Sequence, residues 1–388
     1  DLFGFAQLVC VAFMTMGVIV PFTNGSWRKS RTATVISICQ ASAIPLTAMY
    51  LFESGPAAIM RPDMLPFLFE KLAIPVSLII PVGASFLAFL IGFGLMEAVG
   101  TIAEPIMRPV WRTPGKSAVD AVASFAGSYS VALILTNRVY KAGAYSAREA
   151  AIIATGFSTV SATFMVVVAK TLGLTDVWNA YFWSTLLVTF LVTAVVARLP
   201  PLATVDDSTK LRVDETAGKD SSATSIVGAW QRGLLVAGSA PPIGSMLRES
   251  VIDGLRMAIR VVPAVLSIGM LGLLAARYTP LFDIVGFLIY PVVWLSQLAD
   301  PAEVSSALAS GLAEMFLPAI QATEMPGNAR FTIAVVSVSS VLFFSGSIPC
   351  VLATDIPVSI GQMVVIWFQR TIISIPLAAA LAHLVMPS

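Results

Sequence analysis

The sequence predicts an all-α integral membrane protein. It should have about eight transmembrane helices, two re-entrant hairpins and interfacial helices, arranged as inverted-topology repeats. Three observations carry this. Of 388 residues, 57% are hydrophobic and only 12% charged, about half the charge of a soluble domain. Mean hydropathy is +0.87. The apolar runs recur in the same order in the two halves.

A spanning helix needs about 20 mostly apolar residues. Leu2–Val20 meets that; it lacks a basic n-region, so it reads as a span and not as a cleavable signal. Thr32–Phe52 follows, with Pro45 inside it, and then Leu72–Met96, with Pro75 and Pro81 near its start. Glu149–Leu174, Val177–Leu199, Arg256–Ala276, Phe331–Leu352 and Pro357–Val385 complete the set. Trp178, Tyr181 and Trp183 suit a membrane interface. The chain divides into residues 1–71 (two helices and their loop), 72–199 (first unit), 200–247 (a polar linker rich in Ser, Thr and Gly) and 248–388 (second unit).

Other apolar stretches are too short or too interrupted to span, among them Val99–Trp111, Leu281–Leu298 and Glu303–Thr323. At an offset of 186, Glu97, Gly100, Pro105 and Ser124 align with Asp283, Gly286, Pro291 and Ser310. At an offset of 182, Arg148, Thr155 and Ser158 align with Arg330, Ser337 and Ser340. Each unit then reads as spanning helix, interfacial helix, short broken pair, and two spanning helices. If the broken pair enters and leaves on one side, each unit crosses three times, and the second unit is inverted.

Arg28, Lys29 and Arg31 in one loop, and Arg138, Lys141 and Arg148 in another, predict the cytoplasmic side, so the first hairpin enters from the cytoplasm. Asp355, also expected inside, runs mildly against this. The expected location is a bacterial inner membrane.

The first broken pair contains "ASFAGSYSVALILTNR", Ala123–Arg138. Two half-helices would leave a tip near Gly127, with free backbone donors and acceptors at membrane depth. Ser124, Gly127, Ser128, Tyr129 and Ser130 are therefore candidate solute ligands. The same residues also suit close helix packing, where small residues let backbones approach. Asn137, at the far end, would touch solute or cap the hairpin. The second pair offers Ser310, Gly311 and Glu314, followed by Gln321. An intramembrane carboxylate is costly and marks function by default, so Glu314 would bind a solute amine, Na⁺ or a proton.

The helix after each hairpin is rich in hydroxyls: Thr155, Ser158, Thr159, Ser161 and Thr163 in "ATGFSTVSATF", then Ser337, Ser339, Ser340, Ser345 and Ser347 in "SVSSVLFFSGSIPC". Gly156 and Gly346–Pro349 would loosen these helices and expose carbonyls to a cation such as Na⁺. Alternatively the hydroxyls bond back to their own helix. Arg370, within the last helix, must pair or face water; Glu314 or an anionic solute group is the expected partner.

Other classes are excluded by what is missing. There is no GxSxG, no HExxH and no phosphate-binding Gly-rich loop before a Lys, so no enzyme is read. Three scattered cysteines and one histidine give no metal or haem spacing, so no resident cofactor is expected beyond Na⁺ as a coupling ion. A net charge of +1 gives no reason for nucleic acid as a partner.

The segment "RPVWRTPGKSAVDAVASFAGSYSVALILTNRVYKAGAYSAREAAIIATGFSTVSATF" resembles the YjiH-like family of nucleoside-recognition, or Gate, membrane proteins, through "TPGKSAVDA", "Y..G.YS.REA" and "FSTVS". Gate domains are similar to the core of concentrative nucleoside transporters. The resemblance implies that hairpin tips and partly unwound helices hold solute and Na⁺, here at Ser124–Ser130, Ser158–Ser161, Ser310–Glu314 and Ser337–Ser340, and that a homo-oligomer forms. The group also includes ferrous-iron permeases, whose pore cysteine neither hairpin matches. The expected function is a secondary transporter of a small polar solute (an amino acid, short peptide or nucleoside) coupled to Na⁺ or H⁺. The rival reading is a non-transporting membrane scaffold.

Overall fold

The computed structural model describes residues 2–28, 31–92, 95–206 and 242–386. Most of the predicted linker, residues 207–241, and Lys29 of the basic loop lie outside the described residues. Every element described is helical. The chain opens with α1 (Leu2–Thr23), α2 (Arg31–Ala41) and α3 (Ala43–Leu51). The first unit has α4 (Leu65–Phe67) running through a π-helical turn into α5 (Ile74–Gly92), then α6 (Leu95–Trp111), the pair α7 (Ser117–Ala126) and α8 (Tyr129–Lys141), the pair α9 (Ala147–Gly156) and α10 (Ala162–Thr171), and α11 (Trp178–Val196). The second unit repeats the order: α12 (Ile243–Tyr278), α13 (Leu281–Leu295), α14 (Pro301–Ser310) with α15 (Leu317–Gln321), α16 (Gly327–Ser339) with α17 (Ser347–Leu352), and α18 (Ile360–Val385).

Among the described residues, six helical stretches are each long and apolar enough to cross a membrane. The other two predicted spans, Glu149–Leu174 and Phe331–Leu352, are each two half-helices around an unwound segment. Local chemistry explains the interruptions. Ser161 accepts a hydrogen bond from the Phe164 amide and so starts a new helix at Ala162, after the interruption at residues 157–161 that follows α9. In the second unit the Phe343 amide donates to Ser347 Oγ, at 2.9 Å, holding the unwound strand over the start of α17. Val341 sits there at φ 66°, a left-handed conformation costly for a β-branched residue.

The polar contacts at the helix ends fall into two sets, one at each end of the molecule. At one end Arg108 pairs with Glu149 (3.1 Å), Arg138 with Asp253 (2.7 Å) and Lys141 with Asp355 (3.2 Å). Arg198 there donates to the carbonyls of Pro109 and Val110. At the other end Arg277 pairs with Asp63 (2.8 Å), and Arg330 donates to the Leu172 carbonyl (2.8 Å). So the α9–α10 pair starts where the α16–α17 pair finishes. α5 and α12 are likewise antiparallel: Gly254 lies on Pro81 and Ala84, and Gly269 on Leu68. The second unit is therefore inverted relative to the first.

The repeat reaches single residues. A Cβ on Gly100 would press on the backbone of Lys116, and one on Gly286 on the backbone of Ser305 and Ser306. Both glycines let an interfacial helix lie against the foot of the hairpin that follows it. The main core joins both units. A smaller core, with Cys10, Met14, Leu46 and Phe69, packs α1–α3 against Val262 and Leu266 of α12. Ile102 and Ile106 of α6, and Phe287, Leu288 and Trp294 of α13, are exposed, as lipid-facing apolar surface requires.

Candidate functional site

The two hairpin tips and the two helix interruptions meet in the interior. In the first hairpin, Gly127 and Ser128 form the turn. Ser128 caps α8 by accepting from the Ser130 amide, and the two hydroxyls lie 2.9 Å apart. Gly127 is exposed and Ser128 and Tyr129 half-buried, while Ser124 and Ser130 are buried. Ser124 Oγ donates to the Thr159 carbonyl, in the interruption of its own unit. Tyr129 points the other way. Its ring meets Phe343, in the interruption of the second unit, edge to face at 5.7 Å, and its hydroxyl lies against Gly346.

The second tip, residues 311–316, runs beside the unwound segment of its own unit. The amides of Phe344 and Ser345 donate to the carbonyls of Leu312 (2.8 Å) and Ala313 (3.0 Å). This two-bond ladder gives partners to backbone groups that neither helix can satisfy. Glu314 is 1% exposed. One carboxylate oxygen accepts from the Phe316 amide at 3.1 Å, the other from the Ser345 hydroxyl. Gly272 and Gly269 of α12 lie against Ala313 and Ser345, so a side chain there would push on the tip.

Arg370 is 1% exposed and does not pair with Glu314, contrary to expectation. Its Nε and Nη2 donate to the Ser339 carbonyl at 3.0 and 2.7 Å. Its Nη1 donates to Thr193 Oγ1 at 2.9 Å, and the one Thr193 proton is shared between the Thr189 carbonyl of its own helix at 2.7 Å and the Gly156 carbonyl at 3.0 Å. Ser339 ends α16 and Gly156 ends α9, so one guanidinium ties the C-terminal ends of both half-helices. Unsatisfied carbonyls and the macrodipole make a helix C-terminus electronegative, and that stands in for the missing carboxylate.

The hydroxyl candidates divide. Thr155 donates back to Ala151 (2.7 Å), Ser337 to Ala334 (3.1 Å), Ser339 to Val335 (2.8 Å), Ser340 to Ser337 (2.9 Å) and Ser310 to Ala307 (2.6 Å). These are local back-bonds. Ser158, Thr159 and Ser161 lie in the first interruption itself. Two candidates fall outside the cluster. Gln321 is exposed at the end of α15, and Asn137 Oδ1 accepts from the Asp355 amide at 2.9 Å, fixing the loop before α18.

Sequence reasoning missed two residues, Asp120 and Thr193. Asp120 is buried at the foot of the first hairpin, where Thr136 and Tyr145 donate to it at 2.6 and 2.7 Å. It stands inside "TPGKSAVDA", so a buried acid was there to be noticed. Thr193 carries no sequence signal beyond being a hydroxyl in an apolar run, whereas Ser345 stands in the hydroxyl-rich segment after the second hairpin.

Paired hairpins, paired interrupted helices and apolar flanks define an integral membrane protein. Residues 73–175 match the Gate family, described as nucleoside recognition. An uncharacterised protein of Alkalihalophilus pseudofirmus is 32% identical over 367 residues, covering 89% of this chain and 75% of that protein. The chain belongs to the same family as that protein and carries a Gate domain. A solved structure of a CNTnw double variant, in an outward-facing state, aligns over 98% of this chain and 91% of its own at 13% identity, with a TM-score of 0.47.

Proposed function

We propose that the protein is a secondary transporter of a small polar solute, coupled to Na⁺ or H⁺, working by alternating access. The observation that carries this is the meeting of Tyr129, from one hairpin tip, with Phe343 and Gly346, from the interrupted helix of the opposite unit. Two inverted units that touch through their non-helical segments, at mid-depth, are arranged to open toward either side in turn. Ser124, Gly127, Ser128, Tyr129 and Ser130 would face the solute from the first unit, and Ser310, Gly311 and Glu314 from the second. The hydroxyls of the two interruptions and the Glu314 carboxyl are the places for a coupling ion. Arg370 holds the interruptions together and acts on solute only through them.

Nucleosides head the solute classes, because the matched family is described as nucleoside recognition; amino acids and short peptides follow, because Glu314 suits an amine. The basic residues Arg138, Lys141 and Arg198 at one end support a cytoplasmic location for it, and a bacterial inner membrane and a homo-oligomer go with this reading. The test is a thermal-shift screen of the purified protein with nucleosides, amino acids and dipeptides, followed by uptake into proteoliposomes. A ligand that stabilises the protein and accumulates under an ion gradient is expected. No stabilising ligand and no accumulation would favour the scaffold reading.

A further inference from the structure

We propose that the coupling ion is a proton, carried by the carboxyl group of Glu314. This rests on the transport reading and names its ion. Glu314 sits on the turn of the second hairpin, 1% exposed, with two donors: the Phe316 amide on its own turn and the Ser345 hydroxyl on the interrupted helix. No cationic side chain among the described residues lies within ion-pair reach of it. An isolated buried carboxylate is costly in a low-dielectric interior, and a proton removes that cost.

One titratable group lies near Glu314, the Tyr129 hydroxyl from the first hairpin; the Cys350 thiol of α17 lies near that hydroxyl. Phe316, beside it on the same turn, stacks on Phe67, before α5, and meets Phe164 of α10. From α12, Gly269 and Gly272 approach the tip and its Ser345 partner. Nothing among these groups supplies a fixed positive charge.

The places expected for Na⁺ are occupied differently. At the second interruption the Ser339 carbonyl already accepts twice from Arg370. At the first, Thr193 receives Arg370 on its oxygen and shares its one proton between the Thr189 carbonyl of its own helix and the Gly156 carbonyl, and Ser124 takes the Thr159 carbonyl. A second cation at either helix end would stand close to a permanent guanidinium charge and be repelled by it. Arg370 acts as a tethered cation at the ends where a mobile one would bind, which leaves Glu314 as the group to load. The step is one proton added to one carboxyl oxygen, taking the side chain from −1 to neutral. Ser345 reports the change: its hydroxyl donates to the carboxylate and must turn or accept when that oxygen carries the proton. That couples loading to the ladder between residues 312–313 and 344–345.

The experiment is infrared difference spectroscopy of the purified full-length protein in lipid, titrated across neutral pH in sodium chloride and again in choline chloride, for wild type and Glu314→Gln. The expected result is a carboxyl C=O band that disappears as pH rises, is absent in Glu314→Gln, and is the same in both salts. Should Glu314→Gln fail to fold, Ser345→Ala is read instead; it removes one donor and should shift the band. A band insensitive to pH, or one abolished by Na⁺ at constant pH, overturns the proton assignment. This readout needs no solute, so the two readings fail separately. Uptake of uridine or L-alanine driven by Na⁺ alone, with Glu314 silent, keeps transport and sinks the proton. A titrating Glu314 in proteoliposomes that accumulate nothing under any gradient sinks transport and keeps the proton site.

Discussion

Arg370 and Thr193, on the last helices of the two units, are joined by a 2.9 Å hydrogen bond; Arg370 also holds the Ser339 carbonyl that ends one half-helix, and Thr193 reaches the Gly156 carbonyl that ends the other while bonding back to Thr189. The bond is the buried polar link between the two interruptions. Arg370→Met should leave the Ser339 carbonyl without its main donors, at a cost of about 1–3 kcal/mol. Arg370→Lys should recover only part of this, since an ammonium cannot repeat the planar fork. Thr193→Val should cost about 1 kcal/mol, and combining it with Arg370→Met should cost less than the two added together. Thermal unfolding in detergent of wild type, the two single variants and the double variant checks this; simple additivity would mean that the two residues act independently.

Ser124 and Thr155 make a pair of opposite expectation. Ser124 crosses from the first hairpin to the Thr159 carbonyl, whereas Thr155 only returns to its own helix. Ser124→Ala should therefore cost about 1 kcal/mol and loosen the contact between hairpin and interruption. Thr155→Ala should change stability by less than about 0.5 kcal/mol, in line with a hydroxyl that adds no partner outside its helix. Amide hydrogen exchange at residues 157–161 distinguishes them, and it should rise in Ser124→Ala alone.

Much of the fold is legible in the sequence because helical spans, hairpins and repeats are written in patterns. The matching order of elements in the two halves reveals the internal duplication, and pairs such as Gly100 with Gly286 and Ser158 with Ser340 agree with it. Ser146 followed by Glu149, and Ser359 followed by Gln362, are capping boxes that open α9 and α18. Which polar atoms meet across the interior is not legible. Arg370 lies 177 residues from Thr193 and 31 from Ser339, and no periodicity connects them. A pairing with Glu314 is the natural expectation, since helix ends offer partial charge that a sequence does not display. Two of the eight predicted spans are interrupted, at residues 157–161 and 340–346; Gly156 and the hydroxyls around it mark the first break, but hydropathy averaged over a whole span does not place it.

Asp63, in the loop before α4, gives a pH dependence outside the spans. Burial works against its charged form, but Arg61, its own backbone amide and Arg277 outweigh that and hold its carboxyl below the usual value. A depressed carboxyl stabilises the fold above its unfolded pKa, about 3.9, and that contribution is lost as pH falls through the lower, folded value. Because the side chain is 34% exposed, the effect is screened and small. Asp63→Asn should lower stability slightly at neutral pH, and the difference from wild type should vanish in acid. A difference that persists unchanged at the acid end would assign Asp63 a role other than its charge. Raising salt should shrink the neutral-pH difference as well.

Gly346 lets the first hairpin touch the second unit. A Cβ there would run into the Tyr129 hydroxyl and the edge of Phe343, the same two rings that meet at 5.7 Å. Gly346→Ala should therefore cost about 1–3 kcal/mol by overpacking and displace the hairpin tip. Tyr129→Phe removes the oxygen that the new methyl would meet, so adding it to Gly346→Ala should recover part of the stability, while Tyr129→Phe alone should be nearly neutral. Transport gives a separate readout. If the tip must close on Phe343 for the units to exchange access, uptake should fall in Gly346→Ala more than unfolding explains, and return in the double variant. Recovery of stability without recovery of uptake would show that the Tyr129 hydroxyl itself serves the solute, and that the contact with Phe343 is packing alone.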